Sequence, residues 1–267
     1  MKLCLLKLQI YLLILVLIGS IQSYGAIDPK TAVAVWLFEG DLKDGTENNN
    51  SGKFKNGAKI TDGGKFGKAL SLDGKDDYVV VSPSKSLESS DEKYTGTAWV
   101  KLDKPGKQRN NCCFDDQFIV GWVPGWHNII NVFGAGRNNN WGKVEIGSNE
   151  LNPRWSFSPK TVNDGKWHHL AFAYTGKKKI LYIDGIADID RAATGIFGVK
   201  GVEVTIGGAI TERFAMGLID DVGIFNVALS KADVKTVMDK GLGRSLGILP
   251  VTSKSRLTTV WARIRFN

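Results

Sequence analysis

The sequence is poor in the residue types and motifs on which common catalytic sites are built. Its 267 residues include only three histidines, three cysteines and three methionines. It has no Gly-x-Ser-x-Gly segment, which marks a hydrolase nucleophile, and no glycine-rich phosphate loop. These absences argue against a serine hydrolase and against a nucleotide-binding enzyme. Function must therefore be sought in other features.

The sequence also lacks a basic globular body, although its formal net charge is +8. Two of the excess positive charges are Lys2 and Lys7, and six more follow Asp239, a stretch without acidic residues. Residues 26–239 are therefore close to neutral. Because nucleic-acid affinity depends on clustered positive charge, nucleic-acid binding by this body is disfavoured.

Residues 1–25 have the layout of a secretory signal peptide. Two lysines precede an apolar run from Ile10 to Ile18, and the small residues Ser23 and Gly25 precede a cleavage point near Gly25 or Ala26. The alternative is a membrane anchor, but the run is shorter than the roughly 17–25 residues of a spanning helix. We expect a secreted or cell-surface protein without a membrane span.

Short motifs in a fixed order carry the strongest signal. They are Val35-Trp36-Leu37-Phe38-Glu39, Leu72-Asp73-Gly74-Lys75-Asp76-Asp77-Tyr78-Val79, Thr97-Ala98-Trp99-Val100, Asp164-Gly165-Lys166-Trp167-His168-His169, Leu181-Tyr182-Ile183-Asp184-Gly185 and Gly217-Leu218-Ile219-Asp220-Asp221-Val222. The series resembles the laminin-G-like jelly-roll domain of the concanavalin A-like lectin and glucanase superfamily. The resemblance implies an all-β fold over residues 26–243, in which two antiparallel sheets form a sandwich. It also implies a general role in binding.

Local patterns agree with this fold class. Segments 171–174, 179–183 and 203–206 alternate with period two, as strands do, and Asp184-Gly185 suits a tight hairpin. One short C-terminal helix is predicted from Ser230 to about Lys240, with a capping box at its start and Gly241 at its end. The framework motifs and strand patterns place five aromatic residues largely inside the sandwich: Trp36, Trp99, Trp167, Phe172 and Tyr182.

Glycosidase activity is disfavoured. Retaining glycosidases of the superfamily carry Glu-x-Asp-x-Glu on a strand, since their two carboxyl groups must lie about 5 Å apart. The sequence has no such motif. Asp188 and Asp190 are spaced two apart but follow a hairpin, and we interpret them as solvated strand or loop residues. We expect a protein that is not an enzyme.

An aromatic and polar segment between Arg109 and Trp155 is the predicted ligand-contact zone. Sugars need exposed aromatic rings to stack on, and polar side chains to bond their hydroxyl groups. Tryptophan on sandwich strands is also a common core residue, and we expect two of the segment's four to be buried. The residues predicted to contact a glycan or an extracellular protein are Trp122, Trp126, His127, Asn128, Arg137, Asn139 and Trp141.

A structural calcium site is predicted in the oxygen-rich stretch 44–52. It resembles a loop of the family at Asp44, Asn48, Asn50 and Gly52. Asp220 is expected nearby because the first and last strands of such folds often lie side by side. Calcium takes six to eight oxygen ligands, which these residues can supply. Glu47 departs from the family's glycine, and the alternative is a polar turn held by Asn and Asp side chains.

Two cysteines remain once the leader with Cys4 is removed, and their chemical state and the role of the adjacent histidines each allow more than one interpretation. Cys112 and Cys113 could form a strained vicinal disulfide, pair between molecules, or stay as free thiols. His168 and His169 are adjacent on a predicted strand and point to opposite faces, so they cannot both bind one metal ion without distortion. A structural role is expected for this pair.

Residues 244–267 form a basic C-terminal tail whose second part alternates in polarity. It could be an extra strand, a disordered tail, or a docking segment for a partner or cell envelope. The sequence as a whole favours a secreted, non-catalytic module that recognises a carbohydrate or an extracellular protein. A structural protein that docks through the tail is the alternative, and a divergent glycosidase is a weaker one.

Overall fold

The chain folds as a sandwich of two antiparallel sheets. A computed structural model describes residues 27–88, 93–103, 116–124, 127–132, 142–196, 198–210 and 213–249. Cys112, Cys113, the leader and residues 250–267 of the tail lie outside the described residues. Within the described residues, no helix is long and apolar enough to cross a membrane.

Sheet A has eight strands. Its spatial order is β13 (Ile186–Ala192), β12 (Lys178–Ile183), β11 (Trp167–Tyr174), β6 (Tyr94–Leu102), β15 (Met216–Phe225), β4 (Gly67–Asp73) and β3 (Lys59–Gly64), and β1 (Ala32–Trp36) also pairs with β15. Sheet B has seven strands, in the order β10 (Trp155–Thr161), β9 (Lys143–Gly147), β8 (His127–Val132), β7 (Gln117–Val123), β14 (Glu203–Ile206), β5 (Tyr78–Val81) and β2 (Gly52–Lys55). The predicted two-sheet sandwich is confirmed.

The main core lies between the two sheets. Alternate residues of each strand point into it, such as Leu170 and Phe172 of sheet A and Ile130 and Val132 of sheet B. Burying apolar area in this way stabilises by about 25 cal/mol per Å². The predicted hairpin is also present, since Asp184 (φ 52°) and Gly185 (φ 74°) join β12 to β13. This left-handed backbone matches a tight turn between twisted strands.

A second apolar cluster covers the outer face of sheet A. Helix α1 (Lys231–Lys240) begins at Ser230 with the predicted capping box, and the backbone leaves the helix at Gly241 with φ 78°. Val234 and Val237 of this helix are buried on sheet A with Tyr182. A further turn of helix, α2 (Leu242–Ser245), follows directly.

The aromatic framework is mostly as predicted. Trp36 and Phe172 are buried between the sheets, and Tyr182 is buried in the second cluster. Trp99 is buried on the outer face of sheet A, where Phe66 packs edge-on against it. The prediction is wrong for Trp167, which is only partly buried. It is the first residue of β11, so it lies at the margin of the sheet.

Candidate functional site

The outer face of sheet B carries a row of side chains that points away from the core. On β9, Val144 and Ile146 belong to the core, so Glu145 between them lies on the outer face. Antiparallel register pairs Glu145 with Asn131 on β8 and with Phe157 on β10. The row therefore crosses three neighbouring strands.

A buried polar cluster forms the floor of this face. The Asn131 Nδ2 atom donates to Glu145 Oε2 at 3.1 Å and to Asp116 Oδ2 at 3.5 Å. The Nε atom of Arg213 lies 3.9 Å from Asp116 Oδ2. All four side chains are buried. Charges removed from water are tolerated when they are paired and hydrogen-bonded, so this cluster fixes donors and acceptors at defined positions.

Two aromatic residues lie beside this floor on the edge strand β10. Trp155 and Phe157 are two residues apart, so their side chains share the outer face. Trp155 is opposite Gly147, where a β-carbon would be 2.9 Å from Cε3 of the indole. The glycine therefore makes room for the ring. Phe157 is 48% exposed and Trp155 is partly exposed. We call these two residues the aromatic platform.

The prediction of a ligand-contacting side chain is wrong for Trp122. This residue lies on β7 with only 2% of its surface exposed, and it belongs to the core between the sheets. Its Nε1 atom donates to the backbone oxygen of Leu87 at 3.0 Å. A buried indole with its polar atom already bonded cannot stack on a ligand at the surface.

The other predicted contact residues are only partly within the described chain. His127 pairs in register with the core residue Trp122, so it lies away from the outer row, and its Nδ1 atom is 2.7 Å from Glu150 Oε1. Asn128 pairs with Gly121 through the backbone of β8, and its side chain is outside the described part. The remaining four are outside it altogether: Trp126, Arg137, Asn139 and Trp141.

The predicted calcium loop is held by hydrogen bonds. The Asp44 carboxylate accepts from the backbone N–H groups of Val35, Thr46 and Asn50 at 2.8–2.9 Å. Asn48 and Asn50 both turn their Nδ2 donors toward the backbone oxygen of Val33. These contacts occupy both carboxylate oxygen atoms of Asp44.

Asp220 does not join that loop. Trp36 pairs with Val222 on one side and with Asp44 on the other, so strand β1 lies between the loop and β15. The Asp220 carboxylate instead accepts from the backbone N–H of Phe66 at 3.0 Å, and burial raises its pKa to about 7. The four predicted calcium ligands are therefore not brought together as one set.

A different acidic trio lies in the loop between β4 and β5. Oxygen atoms of Asp73, Asp76 and Asp77 lie within 4.8 Å of one another. Asp77 is buried and accepts from the backbone N–H groups of Gly57 at 2.6 Å and Asp73 at 3.1 Å. Through these bonds the Asp77 carboxylate stabilises the turn that follows β4.

The paired histidines point to opposite faces, as predicted, and make different contacts. His168 lies between two carboxylates, with Nδ1 2.8 Å from Asp184 and Nε2 3.1 Å from Asp164. Hydrogen bonding to Asp184 raises the pKa of His168. His169 is buried against Trp99, and loss of hydration lowers its pKa to about 4. Asp184 contacts the ring of His168 and the backbone N–H of His169, but the two imidazole rings do not converge on one position.

The two histidines should therefore give the stability of the fold opposite dependences on pH. The stabilisation from His168⁺ is complete below its unfolded pKa near 6.5 and is lost as pH rises through the higher folded value. His169 must stay neutral in the fold, so its penalty appears as pH falls below about 6.5. We expect His168→Asn to lower the melting temperature more at about pH 5.5 than at 8.5, and His169→Asn to do the reverse.

Melting curves of both variants and the wild type at the two pH values test this. Equal destabilisation by His168→Asn at both values would show that the positive charge of His168 beside Asp164 and Asp184 contributes nothing to stability.

The aromatic platform and its polar floor are not part of the predicted contact set. Trp155 and Phe157 alternate in the sequence as outward residues of a strand do, and that period was the available signal. Asp116, Asn131, Glu145 and Arg213 are far apart in the sequence. Strand register places Asn131 beside Glu145, whereas Asp116 and Arg213 come from the segments that precede β7 and β15.

The sandwich of two antiparallel sheets defines a jelly roll. The family model Laminin_G_3, described as concanavalin A-like lectin/glucanases superfamily, matches residues 73–235. The chain belongs to this family. A comparison with curated protein sequences finds no significant match.

Solved structures show the same fold at low sequence identity. Domain 4 of AbnA, a GH43 extracellular arabinanase from Geobacillus stearothermophilus, was solved in complex with arabinotriose; it is 21% identical, with a TM-score of 0.60, over 78% of this chain and 98% of that one. The binding domain of Paraclostridial Mosquitocidal Protein 1 is 17% identical, with a TM-score of 0.59, over 79% of this chain and 52% of that one. The chain thus spans about half of the toxin binding domain.

Proposed function

We propose that this protein is a carbohydrate-binding module whose ligand lies across the outer face of sheet B. The observation that carries the proposal is the aromatic platform, Trp155 and Phe157, beside the polar floor. Aromatic rings stack on the apolar C–H faces of sugars. The groups of the polar floor are buried and paired with one another, so they support the platform from below and leave the contact with the ligand to the two rings. The arabinotriose complex of the arabinanase domain with the same fold supports this choice of ligand class.

We further propose that the module binds its ligand without cleaving it. The sequence lacks the Glu-x-Asp-x-Glu motif of retaining glycosidases. Asp116 and Glu145 are buried, and both hydrogen-bond to Asn131. Carboxylates held in this way favour a structural role over a role as general acid or nucleophile. Export by the leader in residues 1–25 would place the module outside the cell, where polysaccharides occur.

Binding should be lost when the aromatic platform is removed. We expect Trp155→Ala and Phe157→Ala each to weaken binding about tenfold, because an aromatic contact contributes on the order of 1 kcal/mol or more. The ligand is chosen from a panel of arabinan, xylan, glucan, mannan and galactan oligosaccharides and sulfated glycans. Calorimetric titration then measures the affinity of each variant.

Phe54 provides the matched control. It lies on β2, at the opposite edge of the same sheet, and is 44% exposed, about as much as Phe157. Phe54→Ala should leave the affinity unchanged. Absence of binding across the panel, or equal affinity in all three variants, would contradict a carbohydrate site on this face.

A further inference from the structure

A fully buried lysine connects sheet A to the loop that precedes the aromatic platform. Lys179 lies on β12 with 0% of its surface exposed. Its Nζ atom donates to the backbone oxygen of Pro153 at 2.6 Å and to that of Arg154 at 3.2 Å. The amine therefore spans the gap between the two sheets at this end of the sandwich. A charged group is costly to bury even when it is paired, and an apolar side chain would fill the same space at no such cost. The two hydrogen bonds to the loop therefore point to a role for the amine beyond packing.

The two carbonyl groups lie immediately before Trp155. The Arg154 oxygen also accepts from the backbone N–H of Ser148 at 3.2 Å, which closes the loop between β9 and β10. A β-carbon at Gly147 would be 2.0 Å from that same oxygen and 2.9 Å from the indole. The Arg154 carbonyl and the Trp155 ring therefore both pack against Gly147, so a shift of the carbonyl would also move the ring.

We propose that Lys179 is a positioning residue of the carbohydrate site, whose ammonium group holds the loop before Trp155 so that the indole stays over Gly147. This inference rests on the proposed function, because it assigns a role within that same site. Lys179 acts through Trp155. It is buried, so it does not reach the ligand.

The charges around Lys179 make this contact sensitive to pH. Arg191, its register partner on β13, opposes the positive charge, whereas Glu145 on β9 favours it. Tyr174, its partner on β11, donates its hydroxyl hydrogen to Gly195 O. Burial is the largest influence and lowers the pKa of Lys179 to about 8. Above that pH the amine is neutral, and its hydrogen bonds to the two carbonyl groups lose their charge assistance.

Stability and binding should consequently move in opposite directions as pH rises. The unfolded lysine titrates near 10.5, so the cost of burying its charge is complete below about pH 8 and is lost progressively as pH rises from about 8 to 10.5. From this group the fold gains stability with rising pH. The hydrogen bonds from Lys179 to the loop weaken as the amine loses its charge, and oligosaccharide binding should weaken with them.

The test uses the full chain, the oligosaccharide selected from the panel above, and hydrogen exchange measured without ligand. Lys179→Met should weaken binding about tenfold, as expected for the loss of charge-assisted hydrogen bonds. It should also speed amide exchange in residues 148–156. Lys178→Met is the control, because Lys178 is the neighbouring exposed residue, paired with Asp190 at 3.0 Å. Adding Lys179→Met to Trp155→Ala should weaken binding no further.

A pH series on the wild type tests the same idea with the unaltered protein, and Lys179→Met serves as its control. Affinity should fall as pH rises above about 8, and Lys179→Met should be flat over this range. Wild-type affinity with unchanged loop exchange in Lys179→Met would overturn the positioning role and leave the carbohydrate site standing. Wild-type affinity in Trp155→Ala and Phe157→Ala would instead overturn the proposed function, whatever the exchange data show.

Discussion

Trp122→Ala should lower the free energy of unfolding by about 3–5 kcal/mol, the cost of truncating a large buried aromatic residue. The substitution opens a cavity between the sheets and leaves the Leu87 carbonyl without its indole donor. Chemical denaturation of wild type and variant gives the difference directly.

Phe157→Ala supplies the contrast for that measurement. Because Phe157 is about half exposed, its truncation should change stability by about 1 kcal/mol or less while reducing oligosaccharide binding. A Trp122→Ala protein as stable as the wild type, with reduced ligand affinity, would return Trp122 to the contact surface and refute its place in the core.

Asp44→Ala should destabilise the protein by about 2–4 kcal/mol, at roughly 1 kcal/mol for each net hydrogen bond lost. The substitution leaves the backbone N–H groups of Val35, Thr46 and Asn50 without their acceptor, and it removes the nearer of the two acceptors of the Thr46 hydroxyl. Asp44→Asn keeps one acceptor oxygen and should fall between the wild type and the alanine variant. Denaturation in the presence of chelator measures this cost free of any metal.

The same variants test the calcium prediction for this loop. If calcium binds there, it stabilises the native state by mass action, so the wild type should melt a few degrees higher with excess calcium than with chelator. Asp44→Ala should abolish that difference. Coincident wild-type curves would leave the hydrogen bonds as the full account of the loop.

The sequence predicts the fold well because each signal is local or belongs to an ordered motif. The capping box at Ser230 and Asp233, the hairpin at Asp184-Gly185 and the strand periods each depend on residues close together in the chain. Trp167 is the exception in the framework. Its motif marks the start of a strand, and sequence alone does not show that the core stops short of that end.

The site is harder to predict because it depends on register. Tryptophan content draws attention to the segment around Trp122, yet a period of two cannot tell which face of a strand points inward. Once β9 is placed, Glu145, Asn131 and Phe157 fall in one row across three strands. The sequence gives no sign that Lys179 is buried beside the site, since a single lysine in a strand usually points to solvent.

The pairing of β1 with β15 also bears on how the molecule reaches its native state. The first strand acquires its neighbour only when residues 216–225 are present, and the central strand β6 likewise pairs with β15. Contacts between such distant segments require large loops to close, which slows folding. Among the described strands, a chain still lacking β15 therefore leaves β1 and one edge of β6 unpaired. Those open edges can join strands of other chains, so aggregation competes with folding until synthesis of β15 is complete.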